Sequence, residues 1–280
     1  MADESLRDKH EKMRDGIRSL GRVAVAFSGG VDSTFVLKVA VDVLGPENVL
    51  AVTGVSSSLA RRELQAAKTL AESLGVRHLL IDPGEFADAD YLANPANRCY
   101  FCKNALYARM DKILASHDLA AALNGTNVDD LGDHRPGLDA AREHGVRSPC
   151  VEAGLSKAEI RTLSAEMGLP TFDKPASPCL SSRVPYGERI TPAKLRMIEQ
   201  AENFLHDLGV RECRVRHHDT LARIEVSPDW IERLMRPEMR ARIDAAFSEF
   251  GYQYVTIDLR GFRSGSLNEV IAFGRRQSAF

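Results

Sequence analysis

The chain lacks any run of eighteen apolar residues, and its first twenty residues are charged throughout. A membrane-spanning helix needs about 20 apolar residues, and a secretory leader needs an apolar stretch after its basic start. Neither pattern is present, so the expectation is a cytoplasmic protein that touches no membrane. An excess of one charge is missing too: 37 Lys and Arg stand against 39 Asp and Glu, a net of −2. No overall basic field advertises a nucleic-acid partner. Cysteines are few and odd in number, at 99, 102, 150, 179 and 213. In a reducing compartment that argues against a disulfide frame and for reactive or metal-binding thiols. What remains is a 280-residue chain, 44% hydrophobic, long enough for one large or two moderate domains with real cores.

The most informative stretch is Ser28-Gly29-Gly30-Val31-Asp32-Ser33, set between an apolar run at 23–27 and a helical pattern from Thr34. Strand, glycine turn and helix in that order gather the free N–H groups of a first helical turn and the positive end of the helix dipole at one spot, which attracts a phosphate. The glycines allow the backbone to approach the anion closely. No Gly-Lys-Ser/Thr follows, so this is not the phosphate loop of kinases and GTPases. Asp32 is acidic inside an anion site, and the role this suggests is to hold Mg²⁺ against a pyrophosphate. A tight strand-to-helix link is the plain structural alternative. The full string resembles the pyrophosphate loop of the N-type ATP pyrophosphatases, which cleave ATP between its α- and β-phosphates and adenylate a substrate.

Around that loop, apolar strands over 23–27, 49–55, 78–81 and 119–123 alternate with helices over 34–44, 60–74 and 105–114. An amphipathic helix carrying Leu6, Met13, Ile17 and Leu20 precedes them. The alternation predicts an α/β fold, a doubly wound parallel sheet covered on both faces, with ligands beyond the carboxyl ends of its strands. Residues 82–97 read as a long loop delivering Cys99 and Cys102 to a helix entrance. There two thiols come within reach of one metal and the dipole favours thiolate; incidental packing cysteines remain the alternative. The strand ending at Leu123 runs into Asn124-Gly125-Thr126-Asn127-Val128-Asp129-Asp130, then Leu131 to Gly137. Asp129 and Asp130 can share Mg²⁺ or position the ribose, or the segment is only a polar turn with a helix cap. Gly125, Thr126, Asp129 and Asp130 also resemble the second motif of the N-type pyrophosphatases.

Ser156 followed by Glu159 signals a capped helix to Met167. The prolines of Lys174-Pro175-Ala176-Ser177-Pro178-Cys179-Leu180-Ser181-Ser182-Arg183 exclude helix and set an extended loop, in which Ser181, Ser182 and Arg183 favour a Cys179 thiolate. From Thr191 the pattern becomes helix, two strands, two helices and a strand. This is a smaller C-terminal α+β domain, and it places the boundary near Gly187, with domains over 1–187 and 188–280. Arg214 and Arg216 alternate along one strand and share a side. With Arg263 they suit a phosphate held by forked hydrogen bonds, and a solvated basic edge strand is the alternative.

Taken in order, Ser28–Ser33, Cys99–Lys103, Gly125–Asp130, Pro178–Arg183, Cys213–Val226 and Gly261–Glu269 resemble the ATP-dependent sulfur transferases that make the nickel-pincer nucleotide cofactor of lactate racemase. The resemblance implies adenylation of the carboxylates of pyridinium-3,5-biscarboxylic acid mononucleotide, loss of pyrophosphate and formation of thiocarboxylates. It implies catalytic roles for Asp32, Cys179, Ser182 and Arg183, and ATP with Mg²⁺ at Ser28, Gly29, Gly30, Asp32 and Ser33. In one form of the family the cysteine matching Cys179 gives up its own sulfur. In another a 4Fe-4S cluster on three cysteines carries it, and Cys99, Cys102 and Cys179 make up that trio here. A homo-oligomer, a hexamer in the family, is expected on the same ground. Three other readings stand beside it: a tRNA thiolase of the same superfamily, an amidating synthetase, and a non-catalytic nucleotide-binding regulator.

Overall fold

A computed structural model describes residues 5–132 and 136–263. In chain order the elements are α1 (Leu6–Arg18), β1 (Val23–Ala26), α2 (Val31–Leu44), β2 (Val49–Gly54), α3 (Arg61–Ser73), β3 (Arg77–Ile81), α4 (Ala89–Leu92), α5 (Arg98–His117), β4 (Ala121–Leu123), α6 (Gly137–Glu143), α7 (Pro149–Glu152), α8 (Lys157–Glu166), α9 (Pro192–Asp207), β5 (Cys213–His218), β6 (Leu221–Val226), α10 (Pro228–Leu234), α11 (Pro237–Glu249) and β7 (Tyr254–Ile257). They form two compact units, Met1–Tyr91 with Asn97–Ser177, and Leu92–Ala96 with Pro178–Phe280. Among the described residues no helix is long and apolar enough to cross a membrane.

The first unit is built on a four-stranded sheet of order β3-β2-β1-β4, all parallel. Its central strands are short and apolar because both faces are covered. Val23, Val25 and Phe27 point to one side and pack with Met13 and Ile17 of α1, Phe35 and Val39 of α2, and Ile160 and Leu163 of α8. Ala24 points to the other side, with Leu50 and Val52 of β2, and meets Tyr107 and Met110 of α5 and Ala140 of α6. The sheet is therefore doubly wound, as the alternation predicts. Phe35 is fully buried, and its removal would cost about 3–5 kcal/mol.

In the second unit the sheet has order β5-β6-β7, with β5 and β6 antiparallel and β6 and β7 parallel. Val215, Ile224 and Val226 pack under Leu205 of α9, Leu234 of α10 and Phe247 of α11. Residues 92–96 belong to this unit through Asn94, whose buried amide donates to the Val184 and Pro185 carbonyls at 3.3 and 2.7 Å.

Several boundaries differ from expectation. Helix α2 starts at Val31, so Val31, Asp32 and Ser33 form its first turn instead of preceding it. The segment 82–97 is not structureless: it holds a 3₁₀ turn at Glu85–Ala87 and α4. Helix α5 begins at Arg98, which places Cys99 and Cys102 inside the helix, whereas a period was legible only from Ala105.

Candidate active site

In the first unit the loop between β1 and α2 leaves the sheet at the strand carboxyl ends. Gly29 adopts φ +69°, and a Cβ there would lie 3.0 Å from the Cβ of Ala67 on α3, so only glycine lets the turn lean on that helix. Gly30 is the N-cap of α2 and no side chain caps the helix. No side chain therefore competes for the first-turn N–H groups at the positive end of the helix dipole. Ser28 Oγ and Ser33 Oγ lie 3.0 Å apart, and Ser33 Oγ also donates to the Gly30 carbonyl at 3.3 Å, closing the loop on itself.

The second glycine motif is pressed against the first. A Cβ at Gly125 would sit 2.7 Å from the Ser33 nitrogen and 2.9 Å from the Asp32 carbonyl carbon, so the backbone after β4 runs directly over the start of α2. Asn124 Oδ1 accepts from the Thr126 N–H at 3.0 Å and from Ser148 Oγ at 2.9 Å, which sets the turn. Asn127 reaches back, its amide 3.4 Å from Asp32 Oδ1. Asp130 Oδ2 accepts from the Asn127 N–H, and Asp129 Oδ2 from the Lys157 N–H at 2.8 Å. Ser28, Gly29, Gly30, Asp32, Ser33, Gly125, Thr126, Asp129 and Asp130 therefore belong to one end of one sheet.

Two lysines complete that end, and neither was predicted. Lys157 Nζ donates to Asp32 Oδ2 at 2.5 Å, and Lys174 Nζ donates to the Gly29 carbonyl at 3.0 Å and to Glu63 Oε2 at 2.8 Å. A signal for Lys157 was available: it is the first residue of α8, after the Ser156 and Glu159 capping box, where the helix dipole disfavours a cation.

Cys99 is exposed and Cys102 half-buried, one helical turn apart near the start of α5. Among the described residues no group of three or more His, Cys, Asp and Glu side chains is gathered to hold a metal ion. The donor chemistry nonetheless suits iron, since cysteine sulfur is the ligand that iron–sulfur clusters take. Asp32 supplies the hard oxygen that Mg²⁺ prefers. Cys150 is a packing residue: burial, with the Asp32 charge adding to it, pushes its thiol far up. Cys213 is likewise buried, its Sγ 3.9 Å from His206 Nε2.

In the second unit Cys179 is half-buried at the head of a short 3₁₀ turn, Leu180–Arg183. Beside the thiol, the Arg183 guanidinium is engaged with oxygen acceptors of its own loop and of α9. Its Nη1 donates to the Pro178 carbonyl (2.7 Å), the Cys179 carbonyl (3.1 Å) and Ser182 Oγ (2.9 Å), while Nε and Nη2 grip both oxygens of Glu202 at 2.9 and 2.8 Å. Arg183 thus shapes the cysteine loop, and Glu202 holds Arg183. Glu202 Oε1 also accepts from the Val215 N–H at 2.9 Å. Burial alone would raise the Glu202 carboxyl; the charge and hydrogen bonds of Arg183, with Arg214 and Val215, outweigh it and hold the group below the usual carboxylate range.

Arg214 and Arg216 do share one side of β5, but the strand is buried and not a solvated basic edge. Arg216 Nη1 donates to the Ser182 carbonyl (2.8 Å) and Nη2 to the fully buried Glu225 (2.9 Å). Arg214 Nη1 donates to the Cys213 carbonyl at 2.6 Å, and its guanidinium lies 5.0 Å from the Phe262 ring centre. Burial and the neighbouring Arg183 charge lower its pKa. Arg263 reaches Asp258 Oδ1 at 3.5 Å and the Gly261 carbonyl at 3.1 Å. Residues 264–269 of the last motif, and 133–135 after the second, lie outside the described residues.

Comparison with known proteins extends these observations. Residues 7–117 match the family described as NAD synthase. Over 95% of this chain and 99% of its own length, the uncharacterized protein slr1717 of Synechocystis sp. is 46% identical. A protein of Lactiplantibacillus plantarum named pyridinium-3,5-bisthiocarboxylic acid mononucleotide synthase is 38% identical over 95% of this chain and 96% of its own. The uncharacterized protein MJ0830 of Methanocaldococcus jannaschii is 27% identical over 87% and 91%.

Proposed function

Since the chain belongs to the family of pyridinium-3,5-bisthiocarboxylic acid mononucleotide synthases, it is an ATP-using sulfurtransferase of nickel-pincer cofactor synthesis, and we propose how its residues divide that work. The reaction is adenylation of each carboxylate of pyridinium-3,5-biscarboxylic acid mononucleotide with release of pyrophosphate, followed by replacement of AMP by sulfur. The observation that carries the reading is the packing of Gly125 onto the uncapped start of α2, which brings Asp32, Asn127 and Lys157 to the anion-binding end of the sheet.

A carboxylate resists thiols until it becomes a mixed anhydride, and holding ATP and substrate in line is the main catalytic task. The N–H groups of Val31, Asp32 and Ser33, with the hydroxyls of Ser28 and Ser33, bind the pyrophosphate portion. Lys157 neutralises charge as pyrophosphate leaves. Gly125 and Thr126 line the same end, and Asp129 and Asp130 keep their loop in place. Asp32 would hold Mg²⁺, which when bound draws charge from the departing oxygens.

In the second step sulfur attacks the acyl carbon, the C–O bond breaks and AMP leaves. Arg183, with Ser182, presents the Cys179 loop. Cys99, Cys102 and Cys179 would hold a 4Fe-4S cluster, which would supply hydrosulfide as the attacking group. In the sacrificial route the Cys179 thiolate displaces AMP to form a thioester, and loss of the Cys179 Cα proton with cleavage of its Cβ–S bond releases the thiocarboxylate and leaves dehydroalanine. Arg214, Arg216 and Arg263 anchor the mononucleotide phosphate. We assign adenylation to residues 1–187 and the mononucleotide to 188–280, in a cytoplasmic homo-oligomer, a hexamer by resemblance, that needs neither nucleic acid nor membrane.

The test is turnover of anaerobically purified protein with ATP, Mg²⁺ and the mononucleotide, with nucleotide products, iron, sulfide and intact mass followed together. AMP, pyrophosphate and thiocarboxylate are expected; ADP and phosphate would overturn the reading. Iron and sulfide bound with unchanged mass mark the cluster route, and a loss of about 34 Da per sulfur delivered marks Cys179 as donor.

A further inference from the structure

Lys174 opens the proline-rich stretch before Cys179, and the chemistry above gives it no task. Its backbone is anchored: Lys174 N donates to the Thr171 carbonyl at 3.0 Å, and Arg161 of α8 donates to the carbonyls of Phe172 and Lys174 at 2.6 and 2.8 Å. From that base the ammonium reaches the Gly29 carbonyl and Glu63, a first-turn residue of α3. The side chains of Lys174 and Glu63 are about three-quarters buried, at 22% and 25% exposure.

The Gly29 carbonyl is a delicate group to leave unattended. It belongs to a residue at positive φ, which as glycine has wide conformational freedom. The peptide that follows is planar and trans, so the direction of the Gly29 carbonyl sets the opposite direction for the Gly30 N–H. Among the described residues the acceptor of that N–H is Ser28 Oγ at 3.4 Å, longer than an ordinary N–H···O bond. Were this peptide to flip, a carbonyl dipole would replace an N–H dipole at the anion site and repel phosphate.

We propose that Lys174 is the positioning residue of the phosphate loop: by holding the Gly29 carbonyl it aims the Gly30 N–H at the pyrophosphate portion of ATP, and Glu63 keeps the ammonium in that place. This rests on the reading that the loop binds ATP. A direct phosphate contact by Lys174 is the rival role, and Glu63 separates the two. If Lys174 positions the peptide, Glu63→Gln lets the ammonium wander and weakens binding. If Lys174 touches phosphate itself, the same change frees the ammonium and tightens binding.

The experiment measures binding of inorganic pyrophosphate and, separately, of adenosine to the full chain by calorimetry, with amide exchange of Gly30 followed in ligand-free protein by NMR. Lys174→Met and Glu63→Gln are expected to raise the pyrophosphate dissociation constant by about tenfold and about threefold. Both should leave adenosine binding unchanged and speed Gly30 exchange, and Lys174→Arg should recover most of the loss. Unchanged pyrophosphate binding in Lys174→Met, or tighter binding in Glu63→Gln, would overturn the inference while the ATP reading stands. Wild-type protein that binds neither pyrophosphate nor nucleotide would remove the ATP reading and this inference with it. Should Lys174→Met fail to fold, Lys174→Arg and Glu63→Gln still decide between the two roles.

Discussion

Glu202→Ala is the sharpest perturbation the structure offers, because it strips one partner from a buried, two-pronged ion pair. Arg183 would keep its charge inside the second unit with three acceptors and no counter-ion, and Val215 would lose the acceptor of its N–H. Removing one member of such a pair costs about 3–5 kcal/mol. With an m-value of about 2 kcal/mol/M in urea, the midpoint should fall by roughly 2 M. The assay is selective by construction: the chain has one tryptophan, Trp230, which packs against the core of the second unit, so red-edge fluorescence reports that unit. Replacing both partners by apolar residues, Arg183→Met with Glu202→Leu, should restore most of the stability yet leave the Cys179 loop without its clamp and sulfur transfer lost. The pair also sets a pH dependence. The folded Glu202 carboxyl is held below its unfolded value of about 4.3, so its stabilisation is full above that pH and disappears as pH falls through the folded value. A single Glu202→Ala midpoint within roughly 0.3 M of wild type would refute the reasoning.

Asp32→Ala should abolish formation of AMP and pyrophosphate while leaving the circular dichroism spectrum unchanged; retained adenylation would remove Asp32 from the chemistry. Cys179→Ala should still adenylate, trapping the acyl-AMP or hydrolysing it, and should deliver no sulfur, as thiocarboxylate analysis by mass spectrometry will show. Arg214→Ala is expected to raise the dissociation constant of the mononucleotide by about tenfold or more, the loss of one charge-assisted contact, with ATP binding nearly unchanged. Equal weakening of both ligands would mean general unfolding. Cys99→Ala should prevent iron incorporation if the cluster route operates and leave activity whole if Cys179 is sacrificial.

Much of this architecture was legible because it rests on local rules. Alternating apolar runs gave the parallel sheet, Ser156 with Glu159 gave the start of α8, and Thr191 with Pro192 gave the start of α9, each cap now seen to accept its expected N–H. What escaped depends on partners distant in sequence. Lys174 finds Glu63 across 111 residues, and no periodicity announces such a meeting. A solvated edge strand stood as the alternative for Arg214 and Arg216 because charged residues are usually exposed; Glu202 and Glu225, from α9 and β6, make their burial possible. The early start of α5 was hidden by Cys99, Tyr100 and Phe101, whose moderate helix propensity tertiary packing overrides. The ties from Asn94 to Val184 and Pro185, which draw residues 92–96 into the second unit, leave no trace in composition.

The contact at Gly125 changes how mutations in this region are to be interpreted. Its missing Cβ faces backbone atoms of Asp32 and Ser33 at 2.7 to 2.9 Å, which no side-chain adjustment can relieve. Alanine there would act as a wedge, prising the end of β4 from the start of α2, and any loss of ATP binding would measure that separation instead of a vanished ligand contact. The glycine is thus a gauge block between two motifs, and a chain that carries both sequences but a larger residue at this place would have to hold them farther apart.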